Sequence, residues 1–225
     1  RSVNRMADAE VPVAELVGDP VAELAALSMR RNPAIPLPRD IFPGRTNSAG
    51  VDLADPQVRE PLIARLERLS AREHVFRGGN GAICQILSPF DLGRSVGNIG
   101  EATGEDVEQA ITQAQAAQPA WDALGGAERA RLLEAAADLY EEHTDLFLSL
   151  CQREAGKTLV DAVLELREAV DFLRYYATEA RRHFTPEGER LPGPTGEDNR
   201  LHLHGRGVFV AISPWNFPLA IFTGL

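Results

Sequence analysis

Late in the chain, Gly207-Val-Phe-Val-Ala-Ile-Ser213 runs straight into Pro-Trp-Asn-Phe-Pro218. The apolar positions are continuous and not alternating. A strand here would bury both faces, as strands do in a parallel sheet covered by helices. Pro218 suits the first turn of a following helix. The unit predicted is therefore strand, turn, helix. Such a strand needs neighbours on two edges, and a parallel neighbour needs a crossover of about a dozen or more residues. No second strand of that kind is visible. The expectation is the leading part of a larger α/β domain whose other strands lie outside these residues. The other reading is a complete small domain that builds its sheet by dimerisation. Val208 to Leu225 carries no charge, but Pro214, Asn216 and Pro218 interrupt it, so no membrane span is expected there.

Upstream, helical periodicity dominates. Leu159 to His183 carries Val163, Leu166, Val170, Leu173 and Ala177 at alternating steps of three and four, which predicts one long helix with a buried stripe. Asp161, Glu165, Glu168, Phe172 and Tyr175 form a second row on it. Thr103 with Asp106 predicts a capping-box helix start, with Val107, Ala110, Ile111, Ala114 and Ala117 as its buried stripe and Pro119 as its end. Ala127 to Cys151 reads as one helix with Leu133, Ala137, Tyr140 and Phe147 inward. Residues 56–73 read as a charged amphipathic helix on Val58, Leu62, Leu66 and Leu69. Val11 to Met29 has room for one or two short helices. Gly78 to Gly81 is a turn, Ala82 to Leu87 a short strand, Pro186 to Gly196 a loop, and Leu201 to His204 a short strand. Pro33, Pro36, Pro38 and Pro43 mark an extended linker, and a boundary is placed there.

The 225 residues carry 23 basic and 33 acidic side chains, a net charge of −10. That balance repels phosphate backbones and anionic lipid, so neither nucleic acid nor a membrane surface is an expected partner. No secretory signal is evident. Two cysteines, Cys84 and Cys151, are too few for a disulfide framework and fit a reducing, cytoplasmic setting. Neither has the electropositive surroundings of a reactive thiol. The five histidines show no ligand spacing, and no metal site is expected.

Two positions carry candidate chemistry. Ligands of open α/β sheets bind beyond the carboxyl ends of strands. Asn216 sits at such an end between two stiffening prolines, where an amide donor would meet developing negative charge. Its alternative use is to cap the following helix. Glu168, beside Phe172 and Tyr175, would hold an amine-bearing ligand or order a loop, or it is simply a solvated carboxylate.

Together, Glu154-Ala-Gly-Lys157, the helix ending in Tyr175-Tyr-Ala177, and Gly207 to Pro218 resemble the aldehyde dehydrogenase superfamily. The Thr103–Trp121 helix and Glu128-Arg129 fit its early region. Ile35-Pro-Leu-Pro-Arg-Asp40 and Asn47-Ser-Ala-Gly-Val-Asp-Leu53 resemble the connector and lead-in of the proline utilization A family. Those bifunctional bacterial enzymes join a flavin-dependent proline dehydrogenase to a Δ1-pyrroline-5-carboxylate (L-glutamate γ-semialdehyde) dehydrogenase.

The resemblance implies an α/β fold with a Rossmann-type NAD domain, mostly helical in the part present. Residues 1–40 would be the tail of an upstream flavin domain plus linker, and residues 41–225 the leading part of the dehydrogenase domain. Asn216 would donate its amide to the oxyanion. Ile212, Ser213, Pro214 and Trp215 would line the nicotinamide side of the NAD site. Phe217 would border the aldehyde tunnel, and Glu168 would serve near the substrate anchor. NAD would belong to this domain and FAD to the proline dehydrogenase domain outside the chain. The partners implied are a small aldehyde, the remainder of the polypeptide, and further copies of the parent in a homo-oligomer. The family's cysteine nucleophile and general-base glutamate would lie past Leu225, so these residues alone are expected to be inactive. An aldehyde dehydrogenase of other specificity and a non-catalytic interaction fragment are the alternatives.

Overall fold

The computed structural model describes residues 8–28 and 32–225. The chain divides into two units, residues 1–37 and 38–225. In the first, helices α1 (Val13–Leu16) and α2 (Pro20–Ala26) bury no residue. Asp19 starts α2 by accepting from the Val21 N–H, with Pro20 at the first helical position. Met29, where the helical stretch was expected to end, lies outside the described residues.

The second unit is built on helices. Asp55 caps α3 (Pro56–Ser70), which turns Leu62 and Leu66 inward and leaves Val58 exposed. Strands β1 (His74–Arg77), β2 (Ile83–Ser88) and β3 (Asp91–Gly100) form a sheet in the order β1-β3-β2. β3 pairs parallel with β1 and antiparallel with β2. Only β2 was expected. β3 reads Asp-Leu-Gly-Arg-Ser-Val-Gly-Asn-Ile-Gly, a composition poor in strand formers, and its pairing is decided by neighbours. Gly97 belongs there because a Cβ would run into the backbone of His74 on β1.

Helix α4 (Gly104–Ala123) opens with the expected capping box: the Thr103 side chain accepts from the Asp106 N–H at 3.1 Å, and Asp106 accepts from the Thr103 N–H at 2.8 Å. It does not end at Pro119 but continues through it to Ala123, giving up the bond a proline cannot donate. Its expected apolar stripe is not buried either. Val107 and Ile111 stay exposed, and no residue of α4 is buried among the described residues. The periodicity made the helix, but nothing among the described residues buries that face.

The single helix expected over residues 127–151 is two: α5 (Gly125–Glu142) and α6 (Thr144–Arg153). His143 breaks the ladder with φ −94° and ψ 23°, and the Thr144 hydroxyl turns back to donate to the Glu141 carbonyl at 2.6 Å. Gly125 joins α4 to α5 at φ 74°, a left-handed conformation that favours glycine.

α7 (Leu159–His183) has the bounds that its periodicity set. Thr158 caps it, and Arg181, Arg182 and His183 in its last turn suit the negative end of the helix dipole. Val163, Leu166, Val170, Leu173 and Ala177 are all buried, and the first four pack with Leu62, Leu66, Ala137 and Leu148 into one core. Fully burying a side chain such as Leu148 or Val170 is worth about 1.5–3 kcal/mol.

Beyond α7, β4 (Glu189–Leu191) and β5 (Asn199–Leu201) make a hairpin, partly where a loop was expected. Residues 207–213 form no strand, and Phe209, Val210 and Ile212 are exposed. This corrects the expectation of a strand buried on both faces. A strand exists only through its partners, and none among the described residues pairs with this segment. The last helix, α8 (Ala220–Gly224), starts two residues later than Pro218 suggested. Helix predominates throughout, and no described helix is long and apolar enough to cross a membrane.

Candidate active site

The site grows from the middle of α7. Glu165 is only 2% exposed. Its Oε1 accepts from the Lys157 ammonium at 2.7 Å, and its Oε2 accepts from the backbone N–H groups of Leu219 (3.2 Å) and Ala220 (2.9 Å). A carboxylate in an apolar core needs such donors to stay charged. Lys157 arrives on the turn before α7, where Gly156 at φ 67° lets the chain reverse after α6. Its ammonium also lies 4.9 Å from the centre of the Phe217 ring. α8 is held further by the Tyr140 and Thr223 hydroxyls, 3.3 Å apart, and a Cβ at Gly224 would press on the Phe172 ring.

Asn216 stands three residues before this anchor. The cap position of α8 is Leu219, whose own side chain makes no cap bond; Glu165 supplies the acceptor instead. The capping alternative for Asn216 is thereby removed. Its carboxamide is exposed on the turn, so it is not spent on helix α8.

The other expected residues fall on the same segment with one exception. Ile212 and Trp215 are 87% and 89% exposed, Pro214 is exposed, Ser213 is half-buried, and Phe217 lies near Lys157. Ile212 to Trp215 thus present a run of apolar surface on which a planar ring could lie. Glu168 is exposed on α7, one turn beyond Glu165. The buried acid of that row is Glu165, which sequence reasoning grouped with Glu168 but did not single out. A pointer existed: Glu165 lies between the stripe positions Val163 and Leu166, and Lys157 is part of the Glu-Ala-Gly-Lys motif.

Beside the turn lies a cavity of about 610 Å³ lined by Tyr140, Phe147, Cys151, Trp215, Pro218 and Phe222. Burial, with Glu165 nearby, pushes the Cys151 thiol up to about 11. Cys84 is raised too, first of all by the nearby Glu101 carboxylate. Both are held as thiols and make poor nucleophiles at neutral pH.

A second polar cluster went unnoticed in the sequence. Asp171 on α7 accepts from the Ser48 N–H at 2.6 Å and from its hydroxyl at 2.9 Å. The Arg174 guanidinium, buried, donates to the Asn47 carbonyl at 3.4 Å, to Asp138 at 2.9 Å and to Glu141 at 2.7 Å. Asn47 and Ser48 are thereby buried, and the lead-in segment is tied to the helix that carries Glu165.

Comparison with known proteins gives these contacts a setting. Residues 76–224 match the profile of the Aldehyde dehydrogenase family. The bifunctional protein PutA of Klebsiella aerogenes is 40% identical over 99% of this chain. The chain spans 17% of that relative's length. Among solved structures, a mutant of proline utilization A from Bradyrhizobium japonicum is 39% identical with a TM-score of 0.70, over 99% of this chain and 20% of that one. A 1-pyrroline-5-carboxylate dehydrogenase from Thermus, crystallised with bound NAD, is 31% identical with a TM-score of 0.71, over 82% of this chain and 37% of that one.

Proposed function

Because the chain belongs to the aldehyde dehydrogenase family, we propose that it forms the leading part of an NAD-dependent dehydrogenase that oxidises L-glutamate γ-semialdehyde to glutamate. The parent protein would be a bifunctional proline-catabolic enzyme whose separate flavin domain oxidises proline with FAD. The single observation that carries this reading is the state of Asn216: an amide at the end of the 207–213 segment, flanked by prolines and released from capping because Glu165 serves α8.

The chemistry follows from that placement. As a nucleophile adds to an aldehyde, negative charge moves onto the carbonyl oxygen. An N–H donor already aimed at that oxygen stabilises the charge without reorganising. Asn216 would be this donor. Pro214 and Pro218 restrict the backbone on either side of it. NAD, when bound, would accept hydride from the aldehyde carbon. Ile212 to Trp215 fit its nicotinamide side, since their exposed apolar run would shield a ring from water. Phe217, steadied by Lys157, would border the aldehyde. Glu168, free on the α7 surface, would act near the substrate's carboxylate and amine. Similarity to the PutA and 1-pyrroline-5-carboxylate dehydrogenase proteins supports this substrate over other aldehydes.

The test uses the full-length protein that carries these residues. Asn216→Ala should lower kcat for NADH formation from glutamate semialdehyde about 10²–10³-fold, the cost of one oxyanion donor. Glu168→Ala should raise KM for that substrate more than for a simple aliphatic aldehyde. An Asn216→Ala enzyme with unaltered kcat would overturn the reading.

A further inference from the structure

We infer that Glu165, together with Lys157, is a positioning residue for the oxyanion donor: it sets where Asn216 stands by fixing the backbone three residues downstream. The inference rests on the oxyanion role proposed for Asn216 and assigns the part of the fold that makes the role possible.

From Gly207 to Pro218 the chain is exposed over nearly its whole length, and its residues belong to neither sheet. Its first firm hold on the core comes at Leu219 and Ala220, both buried, whose N–H groups converge on one carboxylate oxygen of Glu165. Three residues of chain reach at most about 10 Å, and Pro218 removes a torsion from that reach. Asn216 is therefore on a short, stiff tether whose fixed end is Glu165. The carboxylate is not available to substrate. Oε2 is taken by two backbone donors, Oε1 by Lys157, and the side chain is almost wholly buried.

Charge matters as well as shape. A carboxylate accepts on both oxygens, as the three donors here require. A glutamine would turn an N–H₂ group toward either the Lys157 ammonium or the two backbone N–H groups. It would loosen the tether while keeping the side chain's volume. Lys157 does double duty, because the ammonium that neutralises Glu165 also lies against the Phe217 ring, the residue next to Asn216. The pair thus grips the turn on both sides of Pro218.

The test is a double-mutant cycle in the full-length protein. Glu165→Gln should lower kcat about 10–100-fold, the scale of a misplacement near 1 Å, with KM for NAD little changed. In an Asn216→Ala background the same substitution should cost about twofold or less, because the group it positions is gone. Amide exchange in peptides covering residues 214–224 should rise, and exchange within α5 should not. Equal losses in both backgrounds would show a general structural role and overturn the inference. So would a Glu165→Gln enzyme with full kcat. If Glu165→Gln does not fold, Glu165→Asp keeps the charge and shortens the reach. It should give a smaller loss with the same dependence on Asn216, and an additive loss would overturn the inference. The two readings separate cleanly: an inert Asn216→Ala substitution defeats the oxyanion role itself, whereas a costly Asn216→Ala beside an inert Glu165→Gln defeats only the positioning.

Discussion

Replacing Asp171 by alanine should release the lead-in segment from α7, and the structure sets the scale of the effect. Ser48 is 2% exposed, and both its donors, the backbone N–H and the hydroxyl, end on Asp171. Alanine would orphan two buried donors at about 1–3 kcal/mol each. The upper part of that range is not reached, because the segment can leave the helix and regain water. Its departure would in turn cost the Arg174 bond to the Asn47 carbonyl and the packing of Val51 and Leu53 on the core. A loss near 3 kcal/mol is expected, or about 6–12 °C in Tm where a unit of 150–250 residues unfolds cooperatively. Ser48→Ala keeps the N–H bond and should cost only about 1 kcal/mol. Urea unfolding followed by circular dichroism gives the stabilities, and trypsin reports the release through Arg39 and Arg45. The reasoning fails if Asp171→Ala stays within about 0.5 kcal/mol of the parent, where ordinary surface changes fall, and trypsin cuts no faster at those arginines.

Two further outcomes follow from titratable groups. Asp106 is held well below the ordinary carboxylate range by the Thr103 N–H first and the Asn80 N–H second. A depressed folded value means its contribution is present above the unfolded value near 4 and is lost as pH falls through the folded one. The start of α4 should therefore fray as the solution is acidified below about pH 4, and Asp106→Asn should remove that acid-sensitive part of the helical signal. Cys151, pushed up to about 11, should react with iodoacetamide at pH 8 about a hundredfold more slowly than a thiol at the reference value of 9.0. Labelling as fast in the native protein as in urea would contradict its burial.

How far the sequence could be read depends on where each element gets its stability. α7 was legible because its stripe of Val163, Leu166, Val170, Leu173 and Ala177 lies within itself. The α4 start was legible for the same reason. β1 and β3 were not, because strand pairing joins His74 to Gly97 across 23 positions and β3 has little strand character of its own. The break at His143 was hidden because apolar positions continue on both sides of it. The Ser48–Asp171 and Asn47–Arg174 contacts were hidden because nothing in either segment names the other. The site divides the same way. Asn216 stood out through its place between two prolines after an apolar run, and Ile212 to Trp215 only through the family resemblance. Glu165 did not, because its function is set by residues 54 and 55 positions away.

The segment from Gly207 to Pro218 shows why a distinctive sequence need not be a well-packed structure. Its continuous apolar run demands company on both faces and both edges, and that demand makes it readable. The same demand leaves it exposed here, because the described residues offer it no sheet. What this chain does supply is the far end of the turn. Glu165 and Lys157 hold Leu219, Ala220 and Phe217 before any strand is added at the other end. A tether fixed at one end and open at the other is half of a pre-organised site. The helical core sets the anchor, and pairing of residues 207–213 in the longer parent would set the direction. On that division of labour, disrupting the α7 anchor and disrupting the 207–213 pairing should harm the same step, the handling of charge at Asn216. The two lesions combined should cost less than the product of their separate effects, and a fully multiplicative loss would show that the anchor and the strand do not converge on that amide.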